Sequence, residues 1–234
     1  MRSQGKGLSC LQMMRVSTES DNIQSMNEKT FIFLGRSGCG KGTQAELLKK
    51  YLAEKTPDVP CFHLEVGAKF REFIGRDTYT SGLSREVNAR GGLQPEFLAI
   101  WAWSSVMIKQ VKGGEHMIID GTPRKLREAC VLEKALEFYG RDDVHVIFLD
   151  VSRAWSRERM LSRKRADDND KDIEARLDWY DKDVVPAVSY FRKNRHFSFH
   201  DIGGEQPAEK VHADIIAAIE NPKPKNFSLL SFFR

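Results

Sequence analysis

The chain has 234 residues, of which 41% are hydrophobic and 30% charged, and its formal net charge at pH 7 is +4. This composition predicts one globular domain with a good core, and the charge excess is too small to predict nucleic-acid binding. No apolar run reaches the ~20 residues that cross a bilayer. Without a secretory segment or paired cysteine spacing, we expect a reduced cytoplasmic protein that does not contact a membrane.

The ends of the chain differ from its middle in composition. Residues 1–29 are polar and lack helical or strand periodicity, which predicts a disordered N-terminal tail. Near the other end, Asn221-Pro-Lys-Pro-Lys ends the last helical pattern, and the C-terminal tail 223–234 is partly apolar. This second tail either packs on the core or reaches a partner, so residues 30–222 form the predicted core.

Five apolar runs of strand length alternate with helical patterns along the core. This alternation predicts an α/β fold, a five-stranded parallel sheet with helices on both faces and ligands at the carboxyl ends of the strands. About 50 residues separate the second and third runs, so 65–94 is interpreted as an inserted binding module. A long helix from near Asp168 should be kinked at Pro186. The predicted strands are Phe31–Leu34, Cys61–Leu64, His116–Ile119, Val144–Asp150 and Phe197–Ile202.

A glycine-rich segment directly after the first strand opens into a helical pattern. Free N–H groups at a helix N-terminus bind phosphate, and glycines let the backbone approach the oxygens. Lys41 adds an ammonium group for the β/γ end of a polyphosphate. A turn that only caps a strand requires neither this lysine nor the following helix. The predicted ATP-contacting residues here are Gly38, Cys39, Gly40, Lys41, Gly42 and Thr43.

Asp120 ends the third predicted strand, at the same sheet edge as the glycine-rich segment. A carboxylate there is placed to hold Mg²⁺, through water because Mg²⁺ dehydrates reluctantly. The alternative is that Asp120 only starts a turn before Gly121. Thr43 is a second candidate magnesium ligand, one position later than the hydroxyl of the usual phosphate loop.

Gly-Lys-Gly-Thr-Gln over 40–44 is the form found in adenylate kinases and related nucleoside monophosphate kinases, which the chain resembles from about Thr30 to Glu220. The resemblance implies a phosphate-loop kinase fold and a monomer that binds ATP, ADP and a nucleoside monophosphate (NMP). The implied reaction is Mg²⁺-dependent, ATP + AMP = 2 ADP, by direct in-line transfer. Arg159 would then stack on the ATP base.

The same resemblance implies an acceptor site. Gly121-Thr122-Pro123-Arg124 resembles the family's Gly-Phe-Pro-Arg, with Thr122 in the place of the aromatic, so that Arg124 grips the monophosphate. Arg71 would be its second ligand. Backbone at Gly92, Leu93 and Gln94 would line the acceptor base. The remaining base contacts would be Val66 and Glu128, which replace a Thr and a Gln of adenylate kinases.

The presence of Glu128 does not by itself identify which base the acceptor carries. An ionised Glu only accepts hydrogen bonds, and guanine offers two neighbouring donors to it. Most proteins of the family that this chain resembles act on AMP. We therefore expect AMP as the acceptor, with GMP, CMP and UMP as alternatives.

A cluster of arginines precedes the long helix. In the resembling family, Arg163, Arg165 and Arg176 contact the transferring phosphates, so with Lys41 and Arg124 they form the predicted catalytic set. Taken alone, a run of basic residues would be interpreted as the solvated face of a helix. Asp167 and Asp168 either hold the arginines or cap the next helix. Only residues 164–167 are available for a lid, which implies a vestigial lid without zinc.

Two other functions fit part of this pattern. Other phosphate-loop kinases of small metabolites share the strand, loop and helix, but they generally carry Ser or Thr directly after the lysine. A nucleotide-binding regulator that has lost catalysis would not need all of the cationic positions that this chain retains.

Overall fold

The computed structural model describes residues 28–163 and 169–221, which contain a five-stranded parallel sheet. The strand order is β2-β3-β1-β4-β5. Each predicted strand is confirmed, with its ends within one residue of the prediction. The strands are β1 (Thr30–Gly35), β2 (Cys61–Glu65), β3 (His116–Asp120), β4 (Val144–Asp150) and β5 (Ser198–Gly203).

Helices cover both faces of the sheet, as the α/β prediction required. Side chains of β1 alternate between two apolar clusters, with Phe31 and Phe33 on one face and Ile32 and Leu34 on the other. This is why its sequence is a continuous apolar run. The helices are α1 (Lys41–Lys55), α2 (Val66–Ile74), α3 (Tyr79–Ala89), α4 (Glu96–Gln110), α5 (Leu126–Phe138), α6 (Arg153–Ser162), α7 (Asp170–Trp179), α8 (Val185–Lys193) and α9 (Ala208–Glu220).

Strand β1 is the point at which the strand order reverses. It pairs with β3 on one side and β4 on the other, and the glycine-rich segment follows it directly. In open parallel sheets, the crevice at such a point is where ligands bind. The fold therefore brings Asp120, at the end of β3, next to the glycine-rich segment at the end of β1.

The long helix predicted from near Asp168 is divided into two by a π-helical turn. Tyr180–Val184 form this turn between α7 and α8, and the Val185 N–H donates to the Tyr180 carbonyl. Pro186 is the second residue of α8. The irregularity therefore lies in the turn before the proline, because Pro186 lacks an N–H and its ring crowds the preceding carbonyls. The helix begins at Asp170, and the side chain that caps it belongs to Asn169, which accepts from the Asp172 N–H.

Several predictions concern residues outside the described ranges. These are the tails 1–27 and 222–234, and the segment 164–168 with the vestigial lid, Arg165, Asp167 and Asp168. Helices α2 and α3 occupy the segment interpreted as an inserted module, and its role stays a prediction. None of the helices in the described ranges is long and apolar enough to span a membrane.

His116 joins three segments at the amino-terminal edge of the sheet. It is 1% exposed, and its Nδ1 accepts from the Lys29 N–H while Nε2 lies 2.8 Å from the Thr56 hydroxyl. The neutral ring therefore carries its proton on Nε2, which donates to Thr56. Burial lowers the pKa of His116, because the protonated ring would lose its hydration.

This lowered pKa predicts a loss of stability in mild acid. The unfolded chain takes up a proton near pH 6.5 and the folded His116 resists it, so the unfolding free energy should fall from about pH 7 to pH 5. In His116→Asn the slope should be shallower, although not zero, because burial also lowers the pKa of His212. Urea unfolding at several pH values measures this. The control is the exposed His196, and a His116→Asn slope equal to that of His196→Asn would contradict the prediction.

Candidate active site

A cavity of about 650 Å³ opens at the carboxyl ends of the strands. It is bounded by the glycine-rich segment, the start of α2, the turn before α4, the turn after β3, and α6 and α7. From the predicted donor side it is lined by Gly38, Cys39, Gly40, Lys41, Gly42, Thr43, Arg159 and Arg163. From the predicted acceptor side it is lined by Val66, Arg71, Gly92, Leu93, Gln94, Gly121, Arg124, Glu128 and Arg176, and the predicted magnesium ligand Asp120 also lines it.

The glycine-rich segment curls around the position that a phosphate would take. Gly38 and Gly40 have φ angles of +84° and +97°, which other residues rarely adopt. A Cβ on Gly38 would also lie 2.9 Å from the Ser156 carbonyl oxygen, so glycine lets α6 pack directly on the loop. The Lys41 ammonium lies inside this curl and donates to the carbonyls of Gly35 and Arg36, at 2.9 Å and 2.8 Å.

Cys39 contributes to the core as well as to the loop. Its side chain is 5% exposed and packs with the β1 side chains Phe31 and Phe33, and its Sγ lies 3.5 Å from Lys41 Nζ. The thiol therefore fills space beneath the loop.

Asp120 has a carboxylate oxygen that lacks a partner. The residue is 8% exposed, and its Oδ1 is buried without a hydrogen bond. A buried carboxylate oxygen needs a donor or a cation, so this residue fits a Mg²⁺ ion and its water shell. A Cβ on Gly42 would lie 3.6 Å from Asp120 Oδ2, so position 42 adjoins this carboxylate. Thr43 lines the same cavity, and its role as a magnesium ligand stays a prediction.

Arg124 is a cation of the cavity wall that is held by contacts within the protein. Its Nε donates to the Gly121 carbonyl at 2.9 Å, and its guanidinium lies 5.5 Å from the centre of the Trp179 ring. Burial lowers the pKa of Arg124, the carboxylates of Glu128 and Asp120 oppose this, and Arg176 adds to it. The side chain is therefore fixed in place while its charge lacks full compensation, which favours an anionic ligand.

Glu128 and Thr122 are paired beneath Arg124. They are 2% and 1% exposed, and the Thr122 hydroxyl donates to Glu128 Oε1. Glu128 Oε2 accepts from the Arg124 backbone N–H at 2.8 Å. Thr122 and Pro123 line a second, small pocket that adjoins the cavity. Thus both oxygens of Glu128 already accept hydrogen bonds from the turn that carries Arg124.

Arg71 is paired with the carboxylate of Glu65, at the end of β2. Glu65 Oε1 accepts from Arg71 at 2.7 Å, and both side chains are about half exposed. An exposed pair of this kind is weak. The guanidinium is therefore available to a phosphate, and Glu65 stands where an anion would bind. The acidic residue at the end of β2, six positions before Arg71, was the available sequence signal.

Two tryptophans of the cavity wall were missed by sequence reasoning. The guanidinium of Arg159 lies 4.6 Å from the centre of the Trp155 ring, and the four-residue spacing on α6 was the available signal. Trp179 donates from its indole nitrogen to the Gly91 carbonyl at 3.1 Å. It thereby ties α7 to the turn before α4, a contact between distant segments that no local pattern predicts.

The turn before α4 is held by side-chain contacts to α3. Gln94 Oε1 accepts from the Ser84 hydroxyl at 2.8 Å, and its Nε2 donates to the Ser84 carbonyl at 3.0 Å. The amide group of Gln94 is therefore engaged within the protein, and its backbone remains for a ligand. Glu96, two residues after Gln94, also lines the cavity, and its Oε1 is buried without a hydrogen bond.

Comparison with known proteins gives one consistent family. The family model described as adenylate kinase matches residues 33–196. "Adenylate kinase 1" from Nostoc sp. is 30% identical over 80% of this chain and 97% of its own length. "Adenylate kinase" from Campylobacter curvus is 31% identical over 83% and 99% of the two chains. The human "Adenylate kinase isoenzyme 5" is 29% identical over 82% of this chain, which corresponds to 33% of that longer protein.

Proposed function

Because the chain belongs to the adenylate kinase family, we propose that it transfers the γ-phosphoryl group of ATP to AMP, giving two ADP, directly and in line. The chain is a phosphotransferase with nucleoside monophosphate kinase activity. The observation that supports direct transfer is that one cavity is lined by Lys41 on one side and by Arg124 and Arg71 on the other. A monomer acting in the cytoplasm is part of the same proposal.

The chemistry proposed for these residues is positioning and charge stabilisation. Backbone N–H groups at the start of α1 and the Lys41 ammonium bind the ATP phosphates, and Arg159 packs against the ATP base. Arg124 and Arg71 hold the acceptor phosphate, with Glu65 leaving Arg71 when the phosphate arrives. Arg163, Arg176 and Arg165 stabilise the charge that develops on the moving group.

Members of this family use ATP with Mg²⁺, and we propose Asp120 as the residue that would hold the ion through water, with Thr43 as a second candidate ligand. When bound, the ion neutralises charge on the ATP phosphates. Asp120 supplies the unpartnered buried oxygen described above, and no group of three or more candidate ligands is present among residues 28–163 and 169–221.

The acceptor is tested by comparing kcat/KM for AMP, GMP, CMP and UMP at fixed Mg·ATP. We expect AMP to be preferred, with the base bound by backbone at Gly92, Leu93 and Gln94 and by Val66. A tenfold preference for another base corresponds to about 1.4 kcal/mol of transition-state binding and would overturn AMP as the acceptor.

The same assay tests the alternative of a regulator without catalysis. If ADP does not form from ATP and any of the four monophosphates, whereas ATP still binds by calorimetry, the regulator is favoured. The partly buried, incompletely compensated charge of Arg124 argues against it, because retaining such a group costs stability when it has no anionic ligand.

A further inference from the structure

We propose that Glu128 and Thr122 are positioning residues for Arg124, and that residue 128 does not read the acceptor base. This inference rests on the proposed NMP kinase function and assigns a new role within the same site. It also relates two departures from the family pattern to each other, since Thr122 replaces an aromatic residue and Glu128 replaces a base-reading Gln.

The first support is the use of the carboxylate oxygens. Oε1 accepts from the Thr122 hydroxyl and Oε2 from the Arg124 N–H, within a side chain that is 2% exposed. A group that reads a base must present a free donor or acceptor to it. Here the nearest donors to both oxygens belong to the turn that carries Arg124.

The second support is the geometry of that turn. Glu128 fixes the backbone of Arg124, and Arg124 Nε binds the Gly121 carbonyl at 2.9 Å. Arg124 is therefore held both at its backbone and at its Nε. The two remaining guanidinium nitrogens can bind two phosphate oxygens in parallel. Glu128 is itself held in place by α5, because its neighbours Ala129 and Leu132 are fully buried in the apolar cluster that covers one face of the sheet.

The third support is charge. The charge of Arg176 disfavours the charged form of Arg124, and the negative charges of Glu128 and Asp120 favour it. A Gln at position 128 has only one acceptor oxygen for these two donors and would not supply this charge. The carboxylate thus lets two cations share one cavity wall before an anionic substrate binds.

The proposal predicts losses that do not depend on the base. Glu128→Met removes both acceptors, and we expect kcat/KM to fall by roughly 10–100-fold, by the same factor for AMP, GMP and CMP. The KM for the monophosphate should rise, whereas the KM for ATP should change little, because Arg124 belongs to the acceptor side. Thr122→Val, which removes only the hydroxyl, should lose more activity than Thr122→Ser, which keeps it.

A matched control separates positioning from a structural effect. Glu133 is a second buried carboxylate on α5, and it binds Tyr190 and Asn194 outside the cavity. Glu133→Met should lower the melting temperature as Glu128→Met does, but below the unfolding transition it should retain wild-type kcat/KM and acceptor KM.

Three outcomes would overturn the inference. One is a change in the AMP:GMP ratio of tenfold or more in Glu128→Gln, which would assign base reading to residue 128. Another is a Glu128→Met enzyme with unchanged acceptor KM. The third is an equal loss in Glu133→Met. If the wild-type chain phosphorylates none of the monophosphates, the proposed function is wrong instead, and this result is distinguishable because it appears before any variant is made.

Discussion

Replacing Lys41 or Arg124 by alanine is expected to lower kcat/KM for phosphoryl transfer by about 10²–10⁴-fold. Lys41 lies within the curl of the phosphate loop, and Arg124 is fixed through its Nε to the Gly121 carbonyl. Each supplies a cation whose place is set before substrate arrives, so its removal costs stabilisation that water does not restore. The measurement is steady-state ADP formation from Mg·ATP and AMP.

The controls for this prediction are exposed cations on α1, which begins at Lys41, and on α5, which follows Arg124. Lys50→Ala on α1 and Arg127→Ala on α5 remove a positive charge from exposed positions and should leave kcat/KM near that of the wild type. Near-normal activity in Lys41→Ala or Arg124→Ala would contradict the proposed function.

Arg141→Met is expected to lower the unfolding free energy by about 3–5 kcal/mol, because it leaves a buried carboxylate without its partner. Arg141 and Glu115 have side chains 3% and 6% exposed and lie 3.0 Å apart, and Arg141 also donates to the Glu115 carbonyl at 2.6 Å. For a domain of this size, a shift of about 2–4 °C per kcal/mol is expected in the melting temperature. Differential scanning calorimetry or urea unfolding measures the loss.

An exposed ion pair provides the comparison for this second prediction. Lys134 and Glu137 form a pair on the surface of α5, and Lys134→Ala should change the melting temperature little. The Arg141→Met enzyme should keep its kcat/KM at low temperature, because the pair lies at the opposite edge of the sheet from the cavity. If Arg141→Met had the same melting temperature as Lys134→Ala, the buried pair would contribute no net stability.

The chain's own pattern predicted the sheet because its three central strands, β1, β3 and β4, are buried on both faces. Val144–Asp150 and His116–Asp120 are buried along nearly their whole length, so their sequences are apolar runs that need no knowledge of neighbours. The phosphate loop was predictable for the same local reason, since its glycines, Lys41 and the following helix are contiguous. The position of Asp120 near the phosphate loop was predictable because the carboxyl ends of parallel strands lie at the same edge of the sheet.

The π-helical turn was not predictable from the same periodicity. Apolar residues at steps of three and four run through Tyr180 and Val184, and the sequence therefore indicated one continuous helix with a kink at Pro186. The π-helical turn is accompanied by tertiary contacts that this periodicity does not show. Asp181 pairs with Arg36 at 2.7 Å, and the Arg36 guanidinium lies 4.3 Å from the Tyr180 ring centre, so the turn packs against the phosphate loop.

The sequence by itself determined the strands, the phosphate loop and the set of cations, because each is encoded by residues close together in the chain. The tertiary structure decided what the individual acidic residues contact. Glu128 is directed to Thr122 and the Arg124 amide, and Glu65 to Arg71. Whether a carboxylate faces a ligand, a cation or a backbone N–H depends on how separate elements pack around it, and residue type and spacing do not specify that.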